Sequence, residues 1–518
     1  MVGLHTYAHR LLHLALLCVL LLTVRPAQAN TSDLSLGAEW RDAMITLRRL
    51  PVQDTGFVRT GFSFAENLLS AITGSRSIGS TDALESVLYL VRDPHAATET
   101  PLIKISHPDL VAIYGTSRIS VKQWRDMVYR DRLMEFLHVD QEKRLSPLNS
   151  IEYRAQLLEN IESEFAIIPH DGEWLSPRHA RHAADLSAAD LRIVEQWDAL
   201  RQALRSNDAE AGSRASRELV EAVNTAAAQK GKDLPPMGLE LFFYSHKPFR
   251  NAAVFYLLAA LLFAAGLLLG RQSIAWVGFG LLTIGFIEHT LGLGIRWLLA
   301  ERGPLSNMYE SFVFAIGGMV LVALILEGSR MVRLAGLGAS ILGFIFMVIA
   351  HKAPIFDSQI RPLVPALQSS WLTYHVVTIM LSYSAFALSF FVSALYITKD
   401  KALGGDTGTS LVARRLPTLR TLDVFNYRII AIGFPLLTIG IIAGAVWAAT
   451  AWGRPWGFDP KETWSAITWL VYAVYLHVRF MAGWGGRSAA IISIIGFLCV
   501  LFTYFGVNYL LPGLHSYV

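Results

Sequence analysis

The chain has 518 residues, of which 53% are hydrophobic and 17% are charged, and its formal net charge at pH 7 is +4. This composition fits an integral membrane protein better than a soluble one, and so small a net charge gives no reason to expect nucleic-acid binding. The two cysteines, Cys18 and Cys499, lie inside apolar runs, which argues against a disulfide framework or a cysteine-bound metal.

Residues 1–29 have the features of a secretory signal peptide. Arg10 precedes the apolar run LALLCVLLLTV, and Ala27-Gln28-Ala29 supplies a small-residue cleavage site. An uncleaved anchor is the alternative, but the apolar run is shorter than the ~20 residues that a membrane span needs. We therefore expect cleavage after residue 29.

Residues 30–247 are expected to form a soluble, largely helical domain on the outer side of the membrane. Apolar residues recur at helical spacing in 82–91, 121–137 and 191–204, and the alanine-rich stretch 209–228 is typical of an exposed helix. His170, His179 and His182 cluster in sequence. No acidic or cysteine ligand completes their spacing, so we expect solvated surface there rather than a metal site.

From residue 252 onward the chain is dominated by apolar segments, and residues 248–518 are expected to form a polytopic α-helical membrane domain. Each segment is near the length needed to cross ~30 Å of hydrocarbon. The eight segments are 252–270, 273–297, 309–328, 334–351, 370–397, 428–450, 465–482 and 488–511.

Basic residues predict the orientation of these spans. The loop after the fifth span, 399–428, is the most basic, and the positive-inside rule places such a loop in the cytoplasm. Alternation then places the domain 30–247 and the loop between the sixth and seventh spans on the outer side. The outer loops still carry cations such as Arg296 and Arg302, so the bias is incomplete.

The loop between the sixth and seventh spans, 447–464, is unusually rich in tryptophan. With the following helix it reads WGRPWGFDPKETWSAITWLVYAVYLH from residue 452, and Trp447 lies just upstream. Its tryptophans are Trp452, Trp456, Trp464 and Trp469, and its charged residues are Arg454, Asp459, Lys461 and Glu462. Flat indole faces suit a flat porphyrin ligand, whereas an interfacial aromatic belt is the structural alternative.

This topology predicts where four histidines lie relative to the membrane. His375, near the outer end of the fifth span, and His515, in the tail after the eighth, flank the tryptophan loop at one face, where two imidazoles can bind heme iron axially. His477 lies inside the seventh span, where an ionisable group is a functional candidate, and His289 lies in the outer part of the second. Ordinary interfacial solvation and hydrogen bonds between helices are the alternatives.

The tryptophan segment closely resembles the signature of the cytochrome c assembly proteins that handle heme, and most of all the CcsA (ResC) branch of System II. The family often has Trp where this chain has Phe458, a departure that keeps an aromatic face. HTLGLGIRW and PLSNMYESF also resemble a family segment, so the resemblance spans roughly residues 250–518. It implies that His375 and His515 ligate heme at the outer face, and that His477 binds heme inside the membrane.

The resemblance implies a cytochrome c biogenesis protein of the bacterial inner membrane, a subunit of a holocytochrome c synthase. Its cofactor would be non-covalent heme b, since the chain has no C-x-x-C-H sequence of its own. The heme would be joined by thioether bonds to apocytochrome c, with thiol reductants of the periplasm and a ResB/Ccs1-like membrane subunit as partners. That subunit would supply the second ligand at His477, with His289 as the best internal substitute.

Several residues of the tryptophan segment have expected supporting roles. Arg454 and Lys461 are candidate partners for heme propionates, with solvated loop charges as the alternative, while Asp459 and Glu462 are expected to cap a helix that begins near Thr463. The residues of the segment expected to bind heme also include Trp452, Trp456, Trp464 and Asp459. Two other functions remain open from sequence. One is a heme-delivery chaperone of the CcmC or CcmF type; the other is a b-type electron-transfer protein, which would need histidine pairs within one bundle.

Overall fold

The computed structural model describes residues 34–126, 128, 141–183, 185–328, 333–353, 355–361, 363, 367–511 and 513. The chain divides into two compact units, with the boundary between Ser245 and His246. The predicted signal peptide, 1–29, lies outside the described residues.

The first unit is mainly helical, with two short antiparallel hairpins. Its helices are α1 (Arg41–Leu47), α2 (Gly61–Thr73), α3 (Ala83–Arg92), α4 (Pro94–Glu99), α5 (Pro108–Tyr114), α6 (Val121–Arg125), α7 (Gln141–Glu159), α8 (Pro177–Ala180), α9 (Ala188–Ser206), α10 (Ala209–Gln229) and α11 (Met237–His246), the last ending at the boundary. The paired strands are β1 (Pro51–Asp54) with β2 (Phe57–Thr60), and β3 (Ile103–Lys104) with β4 (Arg118–Ile119). Short 3₁₀ turns lie at Ala38–Trp40 and Ile161–Glu164.

The first hairpin has the turn chemistry that its length demands. Thr55 and Gly56 connect β1 to β2 and have φ values of 50° and 85°. Two positive φ angles define the type I′ turn whose twist matches that of antiparallel strands. Gly56 adopts its positive φ angle at no steric cost, whereas Thr55 is strained in this conformation because it carries a side chain.

The core of the first unit confirms two predicted helices and corrects a third. The expected segment 191–204 lies within α9, and the segment 82–91 lies within α3 except for Asp82, which caps it. The alanine-rich helix α10 was predicted to be exposed, but it buries a stripe that includes Leu219, Val223 and Ala226. Small side chains suit this face because neighbouring groups approach it closely: Trp40 lies directly against Gly212. Of the segment 121–137, the described part contains only α6 as a helix.

The second unit is a bundle of long apolar helices. They are α12 (Pro248–Leu269), α13 (Gln272–Ala300), α14 (Met308–Gly328), α15 (Leu334–Lys352), α16 (Ser370–Ala402), α17 (Leu411–Arg415), α18 (Leu419–Trp452), α19 (Pro460–Met481) and α20 (Arg487–Leu501). A 3₁₀ turn occupies Gly405–Thr407, and α20 continues through a π-helical turn, Phe502–Gly506, into α21 (Val507–Leu510).

Among the described residues, seven helices are long and apolar enough to cross a membrane, which confirms a mainly α, polytopic membrane protein. The expected number was about eight, and the difference is the segment 465–482. It is helical, as α19, but does not reach the hydropathy of the other seven. Its Trp, Tyr, His and Arg side chains account for the shortfall, because aromatic groups with polar tips and charged groups are poorly matched to hydrocarbon.

Helix α16 lies at the centre of the second unit, packed against α14, α15, α18 and α20. Its longest contact is with α18, where small residues allow close approach. A side chain at Gly433 would meet Phe386 at 2.8 Å, and one at Gly440 would meet Ile379 at 2.6 Å. Glycines at such contacts let membrane helices gain packing energy where no hydrophobic effect draws them together.

Candidate functional site

A cavity of about 230 Å³, here called the tryptophan cavity, lies at one end of the second unit. Six segments contribute its lining: 305–311, 367–383, 441–448, 455–456, 461–465 and 503–508. These are the start of α14, the start of α16, the end of α18, the tryptophan loop, the start of α19 and the end of the last span. The structure therefore brings His375 and the tryptophan loop together, although they are separated by a whole span.

His375 lies in the second turn of α16 and lines the cavity half-buried. Its Nδ1 donates a hydrogen bond to the carbonyl oxygen of Gly440 at 2.7 Å. Because a carbonyl can only accept, Nδ1 carries a proton, and in the neutral ring the lone pair is therefore on Nε2, the nitrogen that can bind a metal. The imidazole also stacks on Trp447, with ring centroids 6.1 Å apart and planes 16° apart.

A slot in α18 makes this placement of the imidazole possible. A side chain at Gly444 would meet Nδ1 of His375 at 2.6 Å and Cε1 at 2.7 Å. Gly440, one turn earlier, supplies the accepting carbonyl, and Trp447 lies three residues later on the same face. The spacing of Gly440, Gly444 and Trp447 follows the helical repeat, so a single face of α18 holds the ring.

The tryptophans of the segment divide into two groups. Trp447, 2% exposed, and Trp456 line the cavity, and Trp452 packs edge-on against Trp447 at 4.8 Å. Trp464 packs on Phe502 at 4.2 Å, and the Trp469 indole donates to Thr438 at 2.8 Å. Of the three tryptophans predicted to bind heme, Trp456 lines the cavity, Trp452 packs against the lining residue Trp447, and Trp464 packs on Phe502.

The two acidic residues of the segment, Asp459 and Glu462, accept hydrogen bonds from backbone amides. Asp459 is the N-cap of α19 and accepts from the Lys461 amide at 2.9 Å. Glu462 completes the capping box by accepting from the amide of Asp459 at 3.1 Å, and also accepts from that of Gly457 at 2.7 Å. The predicted capping by both acids is thus confirmed, with the helix beginning at Pro460 rather than near Thr463.

Lys461 is the cation of the tryptophan cavity. It lines the cavity half-buried, and its Nζ donates to Oδ1 of Asn508 at 2.9 Å. Burial lowers the pKa of Lys461 to about 8, against an opposing effect of the Asp459 charge. Arg454, the other candidate for the propionates, is exposed and does not contribute to the lining.

The π-helical turn Phe502–Gly506 packs against α19 and contributes Thr503 and Tyr504 to the cavity wall. Tyr504 within it donates to the carbonyl oxygen of Met308 at 2.7 Å, and its hydroxyl lies 2.8 Å from that of Ser311. Asn508, one turn later, donates to the carbonyl oxygen of Tyr504 at 2.9 Å. Turns of this kind recur at functional sites because the extra residue redirects side chains. Neither Tyr504 nor Asn508 was among the predicted site residues.

A buried charged cluster fixes the neighbouring edge of the cavity. Glu310, 1% exposed, accepts from Arg296 at 2.7 Å and from Arg302 at 2.9 Å. Arg302 also donates to Ser306, a lining residue, at 2.8 Å, and the other branch of Arg296 reaches the carbonyl oxygen of Ser358 at 2.9 Å. The cluster therefore ties the 353–361 loop to the start of α14, where the family-like segment PLSNMYESF lies.

His289 does not join this site. It is fully buried, its Nδ1 lies 3.1 Å from the Tyr256 hydroxyl, and its Nε2 donates to the carbonyl oxygen of Val313 at 2.9 Å. Because both ring nitrogens are hydrogen-bonded across α12, α13 and α14, the structure favours the helix-contact alternative. His289 is thus a poor substitute ligand for iron.

The other two predicted ligands are His477 and His515. His477 is exposed on α19, in a stripe with Leu470, Val474 and Phe480. His515 lies outside the described residues, but Gly513, two positions before it, is described. A side chain at Gly513 would meet the carboxylate of Asp459 at 2.5 Å, so Gly513 itself lies against the tryptophan loop.

Comparisons with known proteins agree on the second unit. A family model described as "Cytochrome C assembly protein" matches residues 305–515. The curated relatives include three proteins named "Cytochrome c biogenesis protein CcsA". That of Guillardia theta is 41% identical over 261 residues, which cover 48% of this chain and 87% of the relative. That of Pyropia yezoensis is 38% identical over 303 residues, covering 49% and 95%. That of Synechococcus elongatus is 42% identical over 266 residues, covering 43% and 82%.

Proposed function

This chain belongs to the CcsA family of cytochrome c biogenesis proteins, and on that premise we propose that it binds heme in the tryptophan cavity and promotes its attachment to apocytochromes c. The observation that carries the proposal is His375: its Nδ1–H bond to Gly440 presents the Nε2 lone pair, and its ring stacks on Trp447. An imidazole so oriented, beside indoles and an apolar wall, fits an iron porphyrin.

His515 is the proposed second axial ligand of this heme. It lies two positions after Gly513, which lies against Asp459, and two residues of extended chain span at most about 7 Å. The tail is therefore long enough to bring an imidazole to the loop. Two histidine ligands would saturate the iron until one of them is replaced by the histidine of an incoming C-x-x-C-H sequence.

The proposed reaction is the addition of two cysteine thiols to the two heme vinyl groups. In each addition a carbon–sulfur bond forms, the vinyl double bond is consumed and the thiol hydrogen is transferred to the neighbouring carbon, so no atom leaves and no external oxidant is used. The residues described above would hold the heme in position, with an imidazole at the iron, indoles on the porphyrin face and a cation near the heme carboxylates. Holding reactants in this way can supply most of the acceleration.

The proposed setting is the bacterial inner membrane, with residues 30–247 and the tryptophan loop in the periplasm. His477 would bind heme on its way to the cavity, with the second ligand from a ResB/Ccs1-like membrane subunit. The exposed stripe of Leu470, Val474, His477 and Phe480 supports this assignment, since it offers a helix of a partner both an apolar surface and an imidazole. The residues 30–247 would dock this partner or the apocytochrome.

The test is the visible spectrum of the purified full-length protein beside those of His375→Gly and His515→Gly. We expect a bis-histidine Soret band in the wild type, its loss in each variant, and partial recovery of band and holocytochrome formation with added imidazole. Deletion of the protein should abolish all periplasmic c-type cytochromes. A wild type without heme, or c-type cytochromes that survive the deletion, would contradict the proposal.

A further inference from the structure

Lys461 forms no salt bridge with a described acidic residue, although it is half-buried in the lining of the tryptophan cavity. Among the described residues, its Nζ hydrogen-bonds only to the amide oxygen of Asn508, at 2.9 Å. The two nearest acids in sequence are already engaged, because Asp459 and Glu462 accept from backbone amides at the start of α19. An ammonium group removed from water without a counter-charge is costly, and a neutral amide compensates only part of that cost.

Several other buried or partly buried cations of the same unit contact a carboxylate. Arg296 contacts Glu310 at 2.7 Å, Lys399 contacts Asp406 at 2.7 Å, and Arg479 contacts Asp423 at 2.8 Å. Such pairs offset the cost of burying a charge. Unlike these three cations, Lys461 forms no salt bridge with a described residue, and its side chain faces the tryptophan cavity. An anionic ligand would supply the carboxylate that the chain itself does not.

The surroundings of Lys461 limit what that ligand can be. Much of the cavity wall is apolar, with Ile379, Met380 and Ile441 among its members, so the ligand needs an apolar body as well as an anionic group. Nearby, Arg296 and Arg302 both contact the carboxylate of Glu310, and Arg302 also donates to the lining residue Ser306. Cationic side chains this close to the lining favour the binding of an anion.

We propose that Lys461 and Asn508 form a carboxylate subsite that receives a propionate of heme. The inference rests on the proposed function and adds the orientation of the porphyrin. Propionates and vinyl groups occupy opposite edges of heme, so anchoring a propionate at Lys461 directs the vinyl edge away from the start of α19. Lys461 is chosen over Arg454 because Arg454 is exposed and lies outside the lining.

The experiment compares iron protoporphyrin IX with its dimethyl ester, in which both carboxylates are neutral. The full-length protein is titrated in detergent with each porphyrin, as wild type and as Lys461→Met, Asn508→Leu and Arg454→Gln. A charge-assisted hydrogen bond is commonly worth a factor of about 10–100 in affinity. We expect the wild type to prefer the free acid by about tenfold or more, K461M to lose that preference, and N508L to reduce it. R454Q, the matched control, should behave as wild type.

The ester also serves as the control for folding. K461M should bind it as tightly as the wild type does, which shows that the cavity is intact and that the loss is specific to the carboxylate. The inference is overturned if K461M retains the preference for the free acid, if R454Q abolishes it, or if oleate displaces the porphyrin, which would indicate a fatty-acid site. A wild type that binds neither porphyrin would instead overturn the proposed function.

Discussion

Adding one methyl group at Gly444 should disable the candidate heme site although no predicted ligand is replaced. In Gly444→Ala the new Cβ would lie 2.6 Å from Nδ1 and 2.7 Å from Cε1 of His375, whereas an ordinary contact begins at 3.4 Å. The imidazole would have to retreat by about 0.8 Å. Such a shift strains or breaks the bond to Gly440, whose net contribution is about 0.5–1.5 kcal/mol, and a displacement of ~1 Å at a reacting centre can cost about 100-fold in rate.

The assay is holocytochrome formation in cells, normalised to the amount of the variant in the membrane, with the Soret band of the purified protein as a second readout. We expect G444A to lower both by at least about tenfold. Added imidazole should restore part of the activity, since a free ligand can reach iron that the displaced ring no longer reaches. Overpacking also destabilises a folded protein by about 1–3 kcal/mol, so thermal unfolding is measured in parallel.

The matched control is Gly294→Ala, also a glycine inside a membrane helix. A side chain at Gly294 meets no atom within 4 Å, so this variant should form holocytochrome as the wild type does. If G444A keeps full activity and a normal Soret band, the ring of His375 is not held by this slot and the site as described is wrong. If G294A fails equally, the effect of G444A is one of general stability.

Three further outcomes are expected. His289→Leu removes two hydrogen bonds between helices and should destabilise the protein by about 1–3 kcal/mol in thermal unfolding, while the spectrum of bound heme is unchanged; a lost Soret band would restore His289 as a ligand. The preference for free-acid heme should weaken as pH rises above about 8, because Lys461 then loses its charge, and a constant preference to pH 10 would argue against the subsite. In the first unit, burial opposes ionisation of Asp190, but hydrogen bonds from Lys230 and Ser187 outweigh it and hold the pKa of the carboxyl below its ordinary value. Its stabilising effect is thus present above pH ~3.8 and lost as pH falls through the lower folded value, so hydrogen exchange near Lys230 should accelerate on acidification in the wild type and far less in Asp190→Asn.

The periodicity and composition of the sequence were sufficient to predict much of the fold. The spans are predicted by runs of apolar residues near the length of a bilayer, and the capping of α19 follows from Asp459 and Glu462 at capping-box spacing. The exceptions have a common cause. α19 falls short as a span, and α10 buries a face thought exposed, because aromatic and alanine residues suit both an interior and a surface.

The site was predictable in its residue types but not in its contacts. That His375 and the tryptophan loop share one end of the bundle follows from counting spans. The tautomer of His375 depends on which carbonyl faces it, and no sequence pattern reports that. The small-residue spacing of Gly440 and Gly444 was a usable signal for a close approach. Asn508, a polar residue inside an apolar run, was another.

The π-helical turn Phe502–Gly506 has a consequence for how the end of the chain is aimed. Each residue advances an α-helix by about 100°, so winding an extra residue into one turn rotates everything beyond it by that angle relative to an unbroken helix. This rotation sets the direction in which the Asn508 side chain points. Deleting one residue within the turn would leave the last span almost as long, but it would rotate Asn508 about the helix axis, away from Lys461. The direction of the side chains on this wall therefore depends on the number of residues in the π-helical turn and not on a loop.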